Sequence, residues 1–264
     1  MKINIGNGFL HYETLGRGTP LLFIHGYPLS RKIWDPQMNA LSDYASLITI
    51  DLRGHGESYP YEGPYSMDLL SNDCKALLDE LNIREQAVVC GLSMGGYVAM
   101  AMYRNFPELF KGMILTSTRP GPDSPERKSN REIAIHNARQ YGAISIADSM
   151  LPKLFSPITL SINPDLLNNV HSMMAKTSVQ GMVGVLQGMR DRPDSTPLLA
   201  KISCPVLIIH GTDDQIIPME EAELMAQQIP KSQLVKINRA GHLANFEQPE
   251  KYNQALLDFL NTLI

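Results

Sequence analysis

Ala87-Val88-Val89-Cys90-Gly91-Leu92-Ser93-Met94-Gly95-Gly96-Tyr97-Val98-Ala99-Met100 is the stretch whose reading decides the fold. Residues 87–90 form a short apolar run, as a buried strand does. Residues 94–105 read as a helix. Between them Gly91-Leu92-Ser93-Met94-Gly95 has the spacing G-x-S-x-G. A serine on so tight a strand-to-helix turn is forced into strained dihedrals. The residues two before and two after it must be small, so that strand and helix can approach. Its hydroxyl then emerges at the carboxyl end of a strand, where α/β sheets form their ligand crevices. The spacing alone is a weak signal, and its place between a strand and a helix gives it weight. Residues 86–103 carry no charge, but Gly91, Ser93, Gly95 and Gly96 break the run into strand, turn and helix rather than a membrane span.

Outward from this point the same alternation continues. Apolar runs at 21–24, 46–50, 113–115, 206–209 and 234–237 read as further strands. They are continuous rather than alternating, so the sheet is expected to be covered on both faces and mostly parallel. An antiparallel start is expected at 9–14, closed by the turn signal Gly16-Arg17-Gly18. Helices are expected at 66–81, where Leu69, Leu70, Leu77, Leu78 and Leu81 build an apolar stripe, and at 220–228 and 249–263. The expected fold is α/β, a mostly parallel central sheet flanked by helices.

Residues 119–197 break the pattern. They open on Arg119-Pro120-Gly121-Pro122-Asp123-Ser124-Pro125, close on Arg192-Pro193-Asp194-Ser195-Thr196-Pro197, and contain no convincing strand. The division expected is a core of residues 1–118 and 198–264 with a helical cap of residues 119–197. Five methionines fall in the cap, Met150, Met173, Met174, Met182 and Met189, suited either to core packing or to lining a substrate.

The 264 residues suffice for a large core without disulfides or metal. With 44% hydrophobic and 19% charged residues the composition is ordinary and globular. The formal net charge of −4 argues against a nucleic-acid or anionic-membrane binder, which needs clustered positive charge. Cys74, Cys90 and Cys204 are odd in number and too widely spaced for a Cys-x-x-Cys metal or redox pair; they read as buried reduced thiols. No apolar run follows Met1, so no signal peptide is expected, and the expected location is cytoplasmic.

A neutral serine needs a base, and the base needs an orienting group. Of seven histidines, His242 lies in Arg239-Ala240-Gly241-His242-Leu243, between an expected strand and the last helix. His25 and His55 sit in glycine-flanked loops and read as supports. His210 reads as packing at a strand end, and His11, His136 and His171 as surface or packing residues. For the acid, the segment after the 206–209 strand holds both Asp213 and Asp214, while Thr116-Ser117-Thr118 after the preceding strand offers none. The residues themselves leave Asp213 and Asp214 open.

These motifs together resemble the α/β-hydrolase family, in the order Ser…Asp…His. His25-Gly26-Tyr27-Pro28 is similar to its oxyanion loop. Asp51-Leu52-Arg53-Gly54-His55-Gly56-Glu57-Ser58 is similar to its DxRGxGxS loop, a structural element. The segment from Gly211 to Pro218 is similar to G-x-x-D-x-x-x-P, which puts the acid at Asp214, and Gly241 to Pro249 matches the histidine loop.

The resemblance implies a cofactor-free, metal-free triad of Ser93, Asp214 and His242, with the backbone N–H groups of Tyr27 and Met94 as the oxyanion hole. Trp34 and Leu243 are the residues then offered to the substrate pocket, with core packing the favoured role for Trp34. Ser93 argues against relatives that open epoxides or displace halide through an aspartate. Leu243 stands where C–C bond hydrolases commonly carry tryptophan. The nearer similarity is to small carboxylesterases, enol-lactonases and haloperoxidase-type esterases, implying an ester or lactone of small to medium acyl size as the partner. The alternatives are a C–C bond hydrolase and a ligand receptor with slow turnover.

Overall fold

A computed structural model describes residues 1–6 and 8–263. Eight strands are present: β1 (Lys2–Asn4), β2 (Phe9–Leu15), β3 (Pro20–Ile24), β4 (Ser46–Ile50), β5 (Ala87–Leu92), β6 (Phe110–Thr116), β7 (Val206–Gly211) and β8 (Ser232–Ile237). They form one sheet in the order β1-β2-β4-β3-β5-β6-β7-β8. Strands β1 and β2 are antiparallel to their neighbours, and β3 to β8 run parallel.

The continuous apolar runs have the cause expected of them, a sheet buried on both faces. Alternation sends Leu21, Phe23, Val88, Cys90, Ile114, Leu207 and Ile209 to one face and Leu22, Ile24, Val89, Met113, Leu115 and Ile208 to the other. The second face is covered by α2 (Met67–Glu80) and α3 (Met94–Asn105). In α2 the stripe Leu70, Cys74, Leu77, Leu78 faces inward, and the Ser66 hydroxyl caps the first turn by accepting the Leu69 N–H at 3.1 Å. The first face takes α1 (Asp35–Leu41) and the C-terminal helix (Pro249–Asn261), through Met38, Leu41, Tyr252, Leu256 and Phe259.

Chain order decides where a crevice opens. From β3 the chain moves to β4 on one side, then crosses back to β5 on the other. The loops leaving the carboxyl ends of β3 and β5 therefore diverge, and ligands bind at such a switch point. Tyr27 follows β3 and Ser93 follows β5.

Between β6 and β7 the chain runs through five helices and no strand: α4 (Pro125–Leu154), α5 (Pro157–Ile162), α6 (Pro164–Ala175), α7 (Val179–Arg190) and α8 (Thr196–Leu199). Gly142, at φ 76°, ψ −177°, kinks α4, a backbone state that side chains disfavour. Met173, Met174, Met182 and Met189 are buried in the core, whereas Met150 lines a cleft beneath α4. Among the described residues no helix is long and apolar enough to cross a membrane.

Trp34 and Leu243, the two residues offered to a substrate pocket, are both wholly buried. The Trp34 ring packs 4.8 Å from Phe23 and 6.2 Å from Tyr252, centroid to centroid, because the turn into α1 points it inward under the sheet. Trp34→Ala is expected to lower the unfolding free energy by about 3–5 kcal/mol through loss of burial and the cavity left behind. Urea unfolding measures it, and a loss below about 1 kcal/mol would contradict the core assignment.

Candidate active site

Ser93 sits at the junction of β5 and α3 with φ 55° and ψ −112°, a left-handed state costly for any residue but glycine. The surroundings over-determine it. The Ser93 N–H donates to the Thr116 carbonyl at 2.8 Å, and the Ser93 carbonyl accepts the Gly96 N–H at 2.9 Å and the Thr118 hydroxyl at 2.8 Å. The small neighbours are obligatory. A Cβ on Gly91 would stand 2.2 Å from the Gly95 carbonyl oxygen, and one on Gly95 would stand 2.1 Å from that of Ile24. Serine is half-buried there, at the carboxyl edge of the sheet.

Asp214 and His242 reach the same edge from β7 and β8. The loops after these strands are laced together: Thr212 N–H donates to Ile237 O at 3.0 Å, and Asp213 N–H to Ala240 O at 2.9 Å. The lacing aims Asp214 at His242. His242 Nδ1 lies 2.8 Å from Asp214 Oδ2, with side-chain exposures of only 4% and 1%. Asp214 Oδ1 accepts the N–H groups of Ile216 at 2.8 Å and Ile217 at 3.1 Å. Asp213 points elsewhere and accepts the Thr212 hydroxyl at 3.0 Å. Burial alone would raise the Asp214 carboxyl; the His242 charge and hydrogen bond, with the two amides, outweigh burial and hold it below its ordinary value. A carboxylate on Nδ1 fixes the imidazole tautomer with its proton there, leaving Nε2 as the basic nitrogen.

No hydrogen bond within 3.5 Å joins Ser93 Oγ to His242. Strands β5 and β7 are separated only by β6, about 10 Å at ordinary strand spacing, so the two loops leave the same edge of the sheet close together.

The main-chain donors are available. Met94 is the first residue of the 12-residue α3, where N–H groups have no intrahelical partner and the helix dipole favours negative charge. Neither the Met94 nor the Tyr27 N–H has an acceptor among the described residues. The Tyr27 loop is pressed against the serine: a Cβ on Gly26 would lie 3.2 Å from Ser93 Cβ.

Two supporting groups escaped the sequence reading. Glu247 accepts the Gly241 N–H beside His242 and both the N–H and hydroxyl of Ser156, at 3.0 and 2.6 Å, tying the histidine loop to the start of α5. Its signal was a glutamate five residues after the histidine. His210, expected only to pack, places Nε2 3.6 Å from Asp214 Oδ2 and donates to the Ile217 carbonyl at 2.9 Å, bracing the acid loop.

The loop after β4 is structural: buried Asp51 accepts the Arg31 N–H at 2.7 Å and the Glu57 N–H at 3.0 Å. His25 holds the loop that carries Tyr27, its Nδ1–H donating to Gly26 O at 2.9 Å and its Nε2 accepting the Leu52 N–H at 3.0 Å. Its ring stacks 5.1 Å from His55, whose Nδ1–H donates to Arg53 O at 2.8 Å. Among the described residues no group of three or more His, Cys, Asp and Glu side chains is placed to hold a metal ion. The three cysteines are free and buried.

The chain is similar to known proteins along most of its length. The family described as alpha/beta hydrolase fold matches residues 19–249. The chain is 30% identical to 3-oxoadipate enol-lactonase 2 of Acinetobacter baylyi, over 94% of this chain and 91% of that protein. It is 34% identical to the AB hydrolase superfamily protein YisY of Bacillus subtilis, over 96% of each. A thermophilic esterase from Thermogutta terrifontis, solved with malate bound, superposes with a TM-score of 0.95 at 40% identity, over 97% of this chain and 94% of that one.

Burial lowers His25 to about 4, and burial with the His25 charge lowers His55 to about 3. In the unfolded chain each protonates near 6.5, so the unfolded state binds more protons between these values and stability rises with pH across the window. The unfolding free energy is therefore expected to fall as pH is lowered from about 6.5 towards 4. Denaturant titrations across the range test this, and a flat profile would contradict two neutral buried imidazoles.

Proposed function

Because this chain belongs to the alpha/beta hydrolase fold family, we propose that it is a serine hydrolase cleaving carboxylic esters or lactones of small to medium acyl size through an acyl-enzyme. The observation that carries the reading is the His242–Asp214 bond of 2.8 Å, formed in a buried pocket of amides at the sheet edge that also bears Ser93. The esterase and enol-lactonase names among the relatives support the same reaction class.

In this reading Ser93 Oγ attacks the acyl carbonyl while His242 Nε2 takes its proton. Asp214 keeps the imidazole in the required tautomer and stabilises the imidazolium that forms. The oxyanion of the tetrahedral intermediate is received by the Met94 and Tyr27 N–H groups. Each such donor is typically worth about 3–4 kcal/mol of barrier, because it is aimed in advance and need not reorganise. Collapse expels the alcohol, or opens the lactone, with the proton returned by His242. Water then repeats the sequence on the acyl-Ser93 ester and regenerates the hydroxyl. The helices between β6 and β7 act as a cap that shapes the acyl side.

Hydrolysis of p-nitrophenyl acetate is the test. Ser93→Ala should abolish turnover, and Asp214→Asn should lower kcat by about three to four orders of magnitude. Asp213→Asn should leave kcat within a small factor of the parent. Retained turnover in Ser93→Ala, or a severe Asp213→Asn beside a mild Asp214→Asn, would contradict the assignment.

A further inference from the structure

We propose that the cleft under α4 receives a carboxylate, so that the substrate is an ester or lactone carrying a free acid group besides the bond that is cleaved. This deepens the hydrolase reading and rests on it. The cleft measures about 500 Å³ and runs from Tyr27 and Ile216, flanking the candidate site, to the inner side of α4. Its charged lining is Arg127, Arg131 and Lys153 against the single carboxylate of Glu126.

Those cations are largely uncommitted. The Arg127 guanidinium and the Lys153 ammonium make no hydrogen bond or ion pair with any described residue. Arg131 spends only its Nε, at 3.0 Å from Asp123 Oδ2. Asp123 is itself saturated: its fully buried carboxylate also accepts from Arg119 at 2.6 Å and Arg192 at 2.8 Å. Three guanidiniums around one carboxylate leave a local excess of positive charge, with Glu221, 4.0 Å from Arg119, the one further carboxylate paired with them among the described residues. Burial, and the charge of Arg119, disfavour the Arg127 cation, a penalty that an arriving anion relieves.

A second, independent feature points to a ligand. Tyr27 lines the cleft, is 8% exposed, and its hydroxyl has no hydrogen-bond partner. An unsatisfied buried donor costs about 1–3 kcal/mol, and a carboxylate oxygen is the strongest acceptor available to it beside a guanidinium. Tyr27 also connects the two ends of the site: its main chain lies in the loop pressed against Ser93, and its side chain is one wall of the cleft. A carboxylate held among Arg127, Arg131 and Lys153 would be joined to the scissile carbonyl by an apolar linker, which Ile146, Met150, Leu186 and Ile216 would cover.

The experiment compares p-nitrophenyl hydrogen succinate, glutarate and adipate with the neutral p-nitrophenyl butyrate, valerate and hexanoate. The parent is expected to favour the anionic member of at least one length-matched pair by about tenfold or more in kcat/KM. Raising the salt to 1 M should erode that preference. Arg127→Gln and Arg131→Gln, each and together, should remove it chiefly through KM, with melting curves to confirm that the Asp123 cluster survives; Lys153→Gln checks the cation that lies outside that cluster. A parent that favours neutral esters, or folded variants that keep the anionic preference, would overturn the proposal while leaving the hydrolase reading intact. Turnover of neither series would overturn both.

Discussion

A serine held at φ 55° is the constraint on which the rest of the molecule depends. That backbone state is unfavourable in isolation and persists only because β5, α3 and β3 press on it together. The pressure is visible in the glycines: side chains at Gly91 or Gly95 would collide with the backbone of α3 or β3. It is visible also in the carbonyl of Ser93, saturated by Gly96 and Thr118. Strained geometry leaves the Ser93 side chain half-buried at the sheet edge and the Met94 N–H without a partner, so the proposed nucleophile and oxyanion donor come from one turn.

The second half of the site is assembled by contacts distant along the chain. Asp214 and His242 are 28 residues apart, and their meeting depends on the lacing of the loops after β7 and β8. Glu247 extends the lacing to α5, so the helices over the sheet and the imidazole share one support. At the opposite flank Asp123 gathers Arg119, Arg131 and Arg192, joining the two points where the chain leaves and re-enters the sheet region. Arg131 belongs both to this cluster and to the wall of the cleft.

How much of this the amino-acid order discloses depends on the range of the interaction. Strands β3, β5 and β7 are legible because both their faces are buried, which leaves uninterrupted apolar runs. The α2 stripe and its Ser66 cap are legible because they are local. The choice between Asp213 and Asp214 is not local: adjacent loop residues point apart, and which one faces His242 is decided by the Asp213–Ala240 bond across two loops. Motif spacing supplied that choice. Trp34 leaves a related choice open, since an aromatic in a loop beside a crevice can turn outward or inward, and packing with Phe23 and Tyr252 turns it inward. The short strand β1, whose stability comes from pairing with β2, carries too little pattern of its own to be read.

The central claim is that His242 activates Ser93. Its most direct test is mass spectrometry after treatment with phenylmethylsulfonyl fluoride, which reports on the nucleophile without regard to substrate choice. The account predicts one sulfonyl group per chain, carried by the peptide containing Ser93, and its loss in His242→Ala. A label on any other residue, or undiminished labelling of Ser93 when His242 is gone, would contradict it.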